Sequence, residues 1–191
     1  MTGRTHQVIG LSAGIASYLF WSRPHYAPAT FVGVVVVSHL LALLPDIDSQ
    51  AGLIWRSVPF GGVASHVVNP FLQHRNLTHS LLGAAVVGVL LRALLHNFPL
   101  YWGVEGHWVL VAGLAAYFSH ILADMVTVEG VPLFFPHQHM YGIPPHPFQG
   151  LRMVTGGWFE DFIVFPAANA LLIWVFWVQW PAVQQILFHA A

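Results

Sequence analysis

The sequence predicts an all-α integral membrane helical bundle, about five transmembrane helices with interfacial loops, filling residues 1–191 as a single domain. Hydrophobic residues make up 57% of the chain and charged residues only 7%. An ordinary soluble domain is about a quarter charged, so too few polar side chains exist here to coat a water-facing globule. Apolar stretches near the length of a membrane span recur along the chain, and they consume most of its 191 residues, leaving no room for a second domain.

The first stretch, Gln7 to Trp21, follows a basic start but precedes no small-residue cleavage site, so it reads as a retained helix. The second, Ala29 to Leu44, stops at Pro45. Both are short for a span, which a thinned bilayer accommodates. The third, Ser80 to Phe98, follows HRNLTHS, where Thr78 or Asn76 is placed to cap it. Trp108 to Ala123 and Phe162 to Trp180 complete the set, and Trp174, Trp177 and Trp180 have the placing of an aromatic belt. Gly10 with Gly14, and Ala84 with Gly88, form small-xxx-small pairs that let helices approach closely. Residues 49 to 73 hold Pro59, Gly61, Gly62 and Pro70 among enough apolar residues to lie along the interface. Residues 125 to 158 are rich in Pro and Gly, and their aromatics predict an ordered loop against the membrane.

Composition also excludes functions. The net charge is −1 and Lys is absent, so there is no basic face for nucleic acid and no nucleic-acid partner is expected. With no Cys, thiolate sites and Cys nucleophiles are ruled out, and any metal falls to imidazole and carboxylate. No GxSxG, HExxH, Walker loop or dinucleotide fingerprint is present.

Acids and imidazoles cluster instead at the ends of the apolar stretches, in LPDIDS (44 to 49), HRNLTHS (74 to 80) and SHILAD (119 to 124). Charge in or near hydrocarbon is costly unless it is paired or binds a cation. If every stretch crosses, alternation brings the N-terminus and the 45–79 and 124–161 connections to one side, so His6, Asp46, Asp48, His74, His79 and Asp124 meet in one aqueous layer. Arg4, Arg56, Arg75 and Arg152 share that side, against Arg23 and Arg92 on the other, which points to the cytoplasm by the positive-inside rule.

Each motif carries a plainer reading beside the metal one. His120 and Asp124, four apart, project from one helix face and can share a cation, or form a His–Asp hydrogen bond tying helices together. Asp46 and Asp48 in an extended DID point the same way, suiting one or two cations, or are solvated acids in a helix-ending turn. His79 in a helix's first turn is weighed toward ligand against a capping role. Arg75 is balanced between clamping the oxygens of a bound anion and resting at the interface. His39 reads as a satisfied core residue, and the Pro-separated His137, His139 and His146 have no enforced geometry for a second site. Glu160 offers a general base or a loop terminus; Glu129 and Arg152 are similarly ambiguous.

Taken with SHILADMVTVEGVPLFFP and TGGWFE, these motifs identify a resemblance, over most of residues 1 to 161, to the YdjM-like family of membrane-bound metal-dependent hydrolases. The resemblance implies an inner-membrane protein and a hydrolase. A more distant likeness is to the zinc-dependent phospholipase C and P1 nuclease group, whose order of ligands is matched by His6, Asp46 or Asp48, His79, His120 and Asp124. It implies two adjacent metals, bridged by Asp124, and a phosphoester substrate; that group's further downstream His-rich set is poorly matched here.

The sequence reading is thus a membrane hydrolase of a lipid or lipid-linked phosphoester, working at the cytoplasmic interface through a metal-activated water. One or two divalent ions, Zn first and Mn or Fe otherwise, are bound by His6, Asp46, Asp48, His79, His120 and Asp124, with Arg75 orienting phosphate and Glu160 moving protons. The rival classes are a metal-ion transporter, whose ligands belong near mid-membrane, and a structural module that the metal fastens.

Overall fold

The computed structural model describes residues 1–22, 26–48, 77–97 and 103–188, and within them the fold is all-helical, with two isolated β-bridges and no strand. Six α-helices follow in order: α1 Gly3–Trp21, α2 Pro28–Leu43, α3 Leu81–Asn97, α4 Gly106–Met125, α5 Phe165–Val178 and α6 Trp180–Phe188. A 3-10 turn, Leu44–Asp48, extends α2, and a single π-helical turn, Glu160–Val164, leads into α5.

All five expected stretches are helices, shifted by a few residues at their ends. Three are long and apolar enough to cross a membrane: Pro28–Ile47, Gly106–Met125 and Glu160–Val178. Among the described residues these three meet the length and polarity of a span, against the expected count of about five. Helix α3 is a shorter apolar helix of 17 residues, while α1 carries Arg4, Thr5, His6, Gln7, Ser12 and Ser17 along its length. Helix α1 does not need an apolar surface all round, because it packs against α2, α4 and α5 and takes a central place. Its buried serines bond back to their own helix, Ser12 Oγ to Val8 O at 2.8 Å and Ser17 Oγ to Gly14 O at 2.7 Å. Polar groups in an apolar surround are tolerated on those terms.

The small residues do what their spacing predicts. A Cβ at Gly10 would collide with Ala42, and one at Gly14 with Ser38, so α1 and α2 touch backbone to backbone. Ala84 is buried, and a Cβ on Gly88 would press on Leu114, which seats α3 on α4. Helix α3 begins one residue later than expected and by another cap: Gly83 N–H donates to Ser80 Oγ at 3.1 Å, not to Thr78. The last stretch breaks at Gln179, whose N–H returns to Val175 O, and the chain resumes as α6.

One hydrophobic cluster, around Tyr18, Leu19, Val34 and Ala112, lies between α1, α2 and α4 toward the Trp21 end of α1. A second, around Leu41, Tyr117, Ile121 and Val131, backs the opposite end. There the start of α1, the end of α2, the approach to α3, the end of α4 and the π turn converge.

Candidate metal centre

Three histidines and two carboxylates meet at that end. His6 stands in the first turns of α1, Asp46 just past α2, His79 just before α3, and His120 and Asp124 on the last turns of α4. His6 Nε2 lies 3.1 Å from Asp124 Oδ1, and His79 Nε2 lies 3.3 Å from Asp124 Oδ2. The Nε2 atoms of His79 and His120 are 3.3 Å apart. Asp46 Oδ1 is 3.8 Å from His79 Nε2 and 3.7 Å from His120 Nε2, and His120 Nε2 is 3.8 Å from Asp124 Oδ2. The rings of His6 and His120 stack, with centroids 3.6 Å apart. The amino nitrogen of Met1 also contacts Asp124 Oδ1.

Burial makes this grouping expensive without a cation, and beside Asp124 the Met1 ammonium supplies one positive charge to a group of two carboxylates. His6, His79 and His120 are fully buried and Asp124 nearly so, whereas Asp46 keeps 17% of its side chain exposed and marks the open side. A buried carboxylate loses several kcal/mol of hydration that only a partner charge or dense hydrogen bonding restores. His6 Nδ1 makes no hydrogen bond, and its Nε2 faces the Asp124 carboxylate at 3.1 Å. Buried polar atoms are nearly always satisfied, so an unsatisfied imidazole aimed at a carboxylate points to a missing partner.

The donor set and its spacing fit a divalent ion. Ligand atoms around a tetrahedral ion at ~2.0–2.1 Å are roughly 3.3 Å apart, the separation of His79 Nε2 from His120 Nε2 and from Asp124 Oδ2, while His120 Nε2 and Asp124 Oδ2 stand 3.8 Å apart. Two overlapping triads, His6 with His120 and Asp124, and Asp46 with His79 and His120, bring their donor atoms close enough to hold an ion. The imidazoles are also oriented as ligands are. His120 Nδ1–H donates to Ala42 O at 2.7 Å, which leaves its Nε2 lone pair directed into the group. Thr78 Oγ1 lies 3.1 Å from His79 Nδ1, and Tyr117 OH donates to Thr78 O, bracing that loop against α4.

Glu160, the expected general base or loop terminus, sits outside the two metal-capable triads. Its carboxylate is fully buried and saturated: Oε1 accepts from Thr2 N at 2.7 Å, Thr2 Oγ1 at 2.6 Å and Thr5 Oγ1 at 2.7 Å, and Oε2 accepts from Gly156 N at 2.8 Å. Those bonds tie the segment that carries His6 to the start of α5. Beside it Arg4 pairs with Asp161 and lies over the Phe165 ring.

The structure therefore brings together His6, Asp46, His79, His120 and Asp124. Asp48 closes the turn after Asp46 but its side chain lies outside the described residues, as do Arg75 and His74. His39 is satisfied by Gln7 Nε2, 3.1 Å from its Nδ1. His137 and His139 are exposed and stack on each other, and neither they nor His146 join a metal-capable group among the described residues. Sequence reasoning missed Thr2, Thr5, Thr78 and the Ala42 carbonyl, which orient the cluster through contacts between positions as much as 158 residues apart.

The comparisons with known proteins agree with this architecture. A family model described as YdjM inner membrane protein matches residues 1–189. The inner membrane protein YdjM of Escherichia coli (strain K12) is 29% identical over 93% of this chain and 83% of its own length. YvsG of Bacillus subtilis (strain 168) is 28% identical over 86% of this chain and 88% of its own. No solved structure matches. With a family model covering nearly every residue, the chain belongs to the YdjM inner membrane protein family.

Proposed function

We propose that this chain is a single-domain, membrane-embedded metal-dependent hydrolase that cleaves a phosphoester of a lipid or lipid-linked molecule. The observation that carries the proposal is the convergence of three buried imidazoles and two carboxylates, with His6 Nε2 turned to Asp124 and its Nδ1 without a hydrogen bond. His6, Asp46, His79, His120 and Asp124 would hold one or two divalent ions; zinc suits the nitrogen and oxygen donors and the tetrahedral spacing, with manganese or iron as substitutes. Asp48 and Arg75 keep the roles of ligand and phosphate clamp that their motifs propose for them. Such an ion, when bound, lowers the pKa of water and offsets charge developing on phosphate.

The chain's own residues do the rest. The Ala42 carbonyl and Thr78 fix the imidazole orientations, which preserves the donor geometry through a reaction. Asp46, the most exposed member, opens the group on one side and leaves a direction for substrate. Glu160 acts by positioning His6, since its oxygens are already committed to four donors. The group lies at helix ends and not half-way along spans, which favours catalysis at an interface over ion passage through the bundle. Arg4 and Arg152 on that side support a cytoplasmic orientation.

The test is hydrolysis of vesicle phospholipid by the purified protein, with and without chelator, read as release of a phosphorylated headgroup or alcohol from a diester and of phosphate from phosphatidic acid. Turnover that needs metal and disappears in Asp124→Ala supports the proposal. A folded Asp124→Ala protein that keeps both metal and turnover would refute it.

A further inference from the structure

The connection from Val126 to Phe159 is pinned around the metal group at three places. Just past the end of α4, Met153 N–H donates to Val126 O at 3.1 Å and Val128 N–H to Met153 O at 3.0 Å. At the start of α3, two residues from His79, Leu81 N–H donates to Leu133 O at 3.0 Å. Near the start of α1, Gly156 N–H reaches the same Glu160 carboxylate that holds Thr2 and Thr5. The backbone is thus ordered beside the site.

Its side chains face the other way. Phe134, Phe148, Leu151, Val154 and Trp158 are between 53% and 77% exposed, and Glu129 and Arg152 are the only formal charges in residues 126–159. Scattered exposed apolar residues are ordinary, but a concentration of large ones on a nearly uncharged segment marks an interaction surface. The partner follows from continuity. Trp158 and Phe159 run straight into the span Glu160–Val178, whose first turn exposes Phe162 and whose later turns expose Leu171, Ile173 and Trp174. A surface continuous with a lipid-facing helix, carrying Trp and Phe at its start, has the composition of the boundary between headgroups and acyl chains.

We infer that residues 126–159 form a collar seated in the membrane interface around the metal group, with lipid as the occupant of its outward apolar side chains. Resting on the hydrolase reading, the collar also narrows the substrate class. A site ringed by an interface-seated loop receives a phosphoester amphiphile sideways from the bilayer, its tail remaining among the acyl chains.

The chain has no Cys, so Leu151→Cys and Trp158→Cys each give one labelling site without background. Each is spin-labelled in vesicles of phosphatidylethanolamine and phosphatidylglycerol, with Ile173→Cys as the label on the span. Both collar labels are expected to collide several-fold more with oxygen than with a water-soluble nickel complex, as Ile173→Cys does. Preferential collision with the nickel complex places the collar in water and overturns the inference. Shielding from both reagents shows coverage by protein, a second copy or another partner, and overturns it too. The readout needs no turnover, so failure of the hydrolase reading leaves it standing.

Discussion

Replacing Glu160 separates a positioning role from a proton-transfer role. In Glu160→Gln the three bonds from Thr2 and Thr5 to Oε1 can persist, but the new amide NH2 faces Gly156 N–H where a carboxylate oxygen had accepted at 2.8 Å. One charge-assisted hydrogen bond is lost, worth about 1.5–3 kcal/mol. The bonds from Thr2 and Thr5 lose their charge assistance as well, which loosens the docked His6 segment, and metal binding weakens by about ten- to a hundredfold, the effect of disturbing residues that orient ligands. Glu160→Ala removes all four acceptor contacts and should release the segment altogether, with a larger fall in affinity. The assay is titration of the detergent-purified, metal-stripped variants with Co²⁺ or Zn²⁺, the cobalt spectrum reporting ligand number and circular dichroism reporting fold. Wild-type affinity in a folded Glu160→Gln protein would refute the positioning argument. Unchanged affinity together with a thousandfold fall in turnover would restore Glu160 as the proton-transfer group.

Further predictions test the packing and the second layer of the site. Gly14→Leu forces α1 away from Ser38, and overpacking of this kind costs about 1–3 kcal/mol, seen as a lower thermal midpoint in detergent. Tyr117→Phe removes the hydroxyl that holds Thr78 O and should weaken metal binding about tenfold through His79, with little change in helicity. Adding zinc at a hundred times its dissociation constant to stripped protein should stabilise the fold by about 2.7 kcal/mol, and His120→Ala should abolish that gain.

The helices were legible because each is a long apolar run ended by Pro, Gly or polar residues, and Gly10 and Gly14 declared the α1–α2 contact by their spacing alone. The site was legible for a different reason: acids and imidazoles stand at the ends of apolar runs, in LPDIDS, HRNLTHS and SHILAD, and the structure gathers His6, Asp46, His79, His120 and Asp124 at one end of the bundle. The contacts of Glu160 were not legible, because nothing near it in sequence shows that Thr2 and Thr5 fold against it, and a π turn has no sequence period of its own. The break at Gln179 was hidden by the unbroken apolar run on both sides. Ser80 takes the place of Thr78 as the cap, the Thr78 hydroxyl lying against His79 Nδ1 instead. Local pattern therefore picked out the candidate ligands that the structure groups, while the residues that contact them depend on tertiary structure.

Elemental analysis with X-ray absorption on the purified protein tests the metal centre most directly. One to two divalent ions per chain in a shell of nitrogen and oxygen, lost together in His79→Ala, His120→Ala or Asp124→Ala, is the predicted result. Metal-free protein that stays folded and takes up no ion from saturating zinc, or metal retained after all three substitutions, would contradict the account.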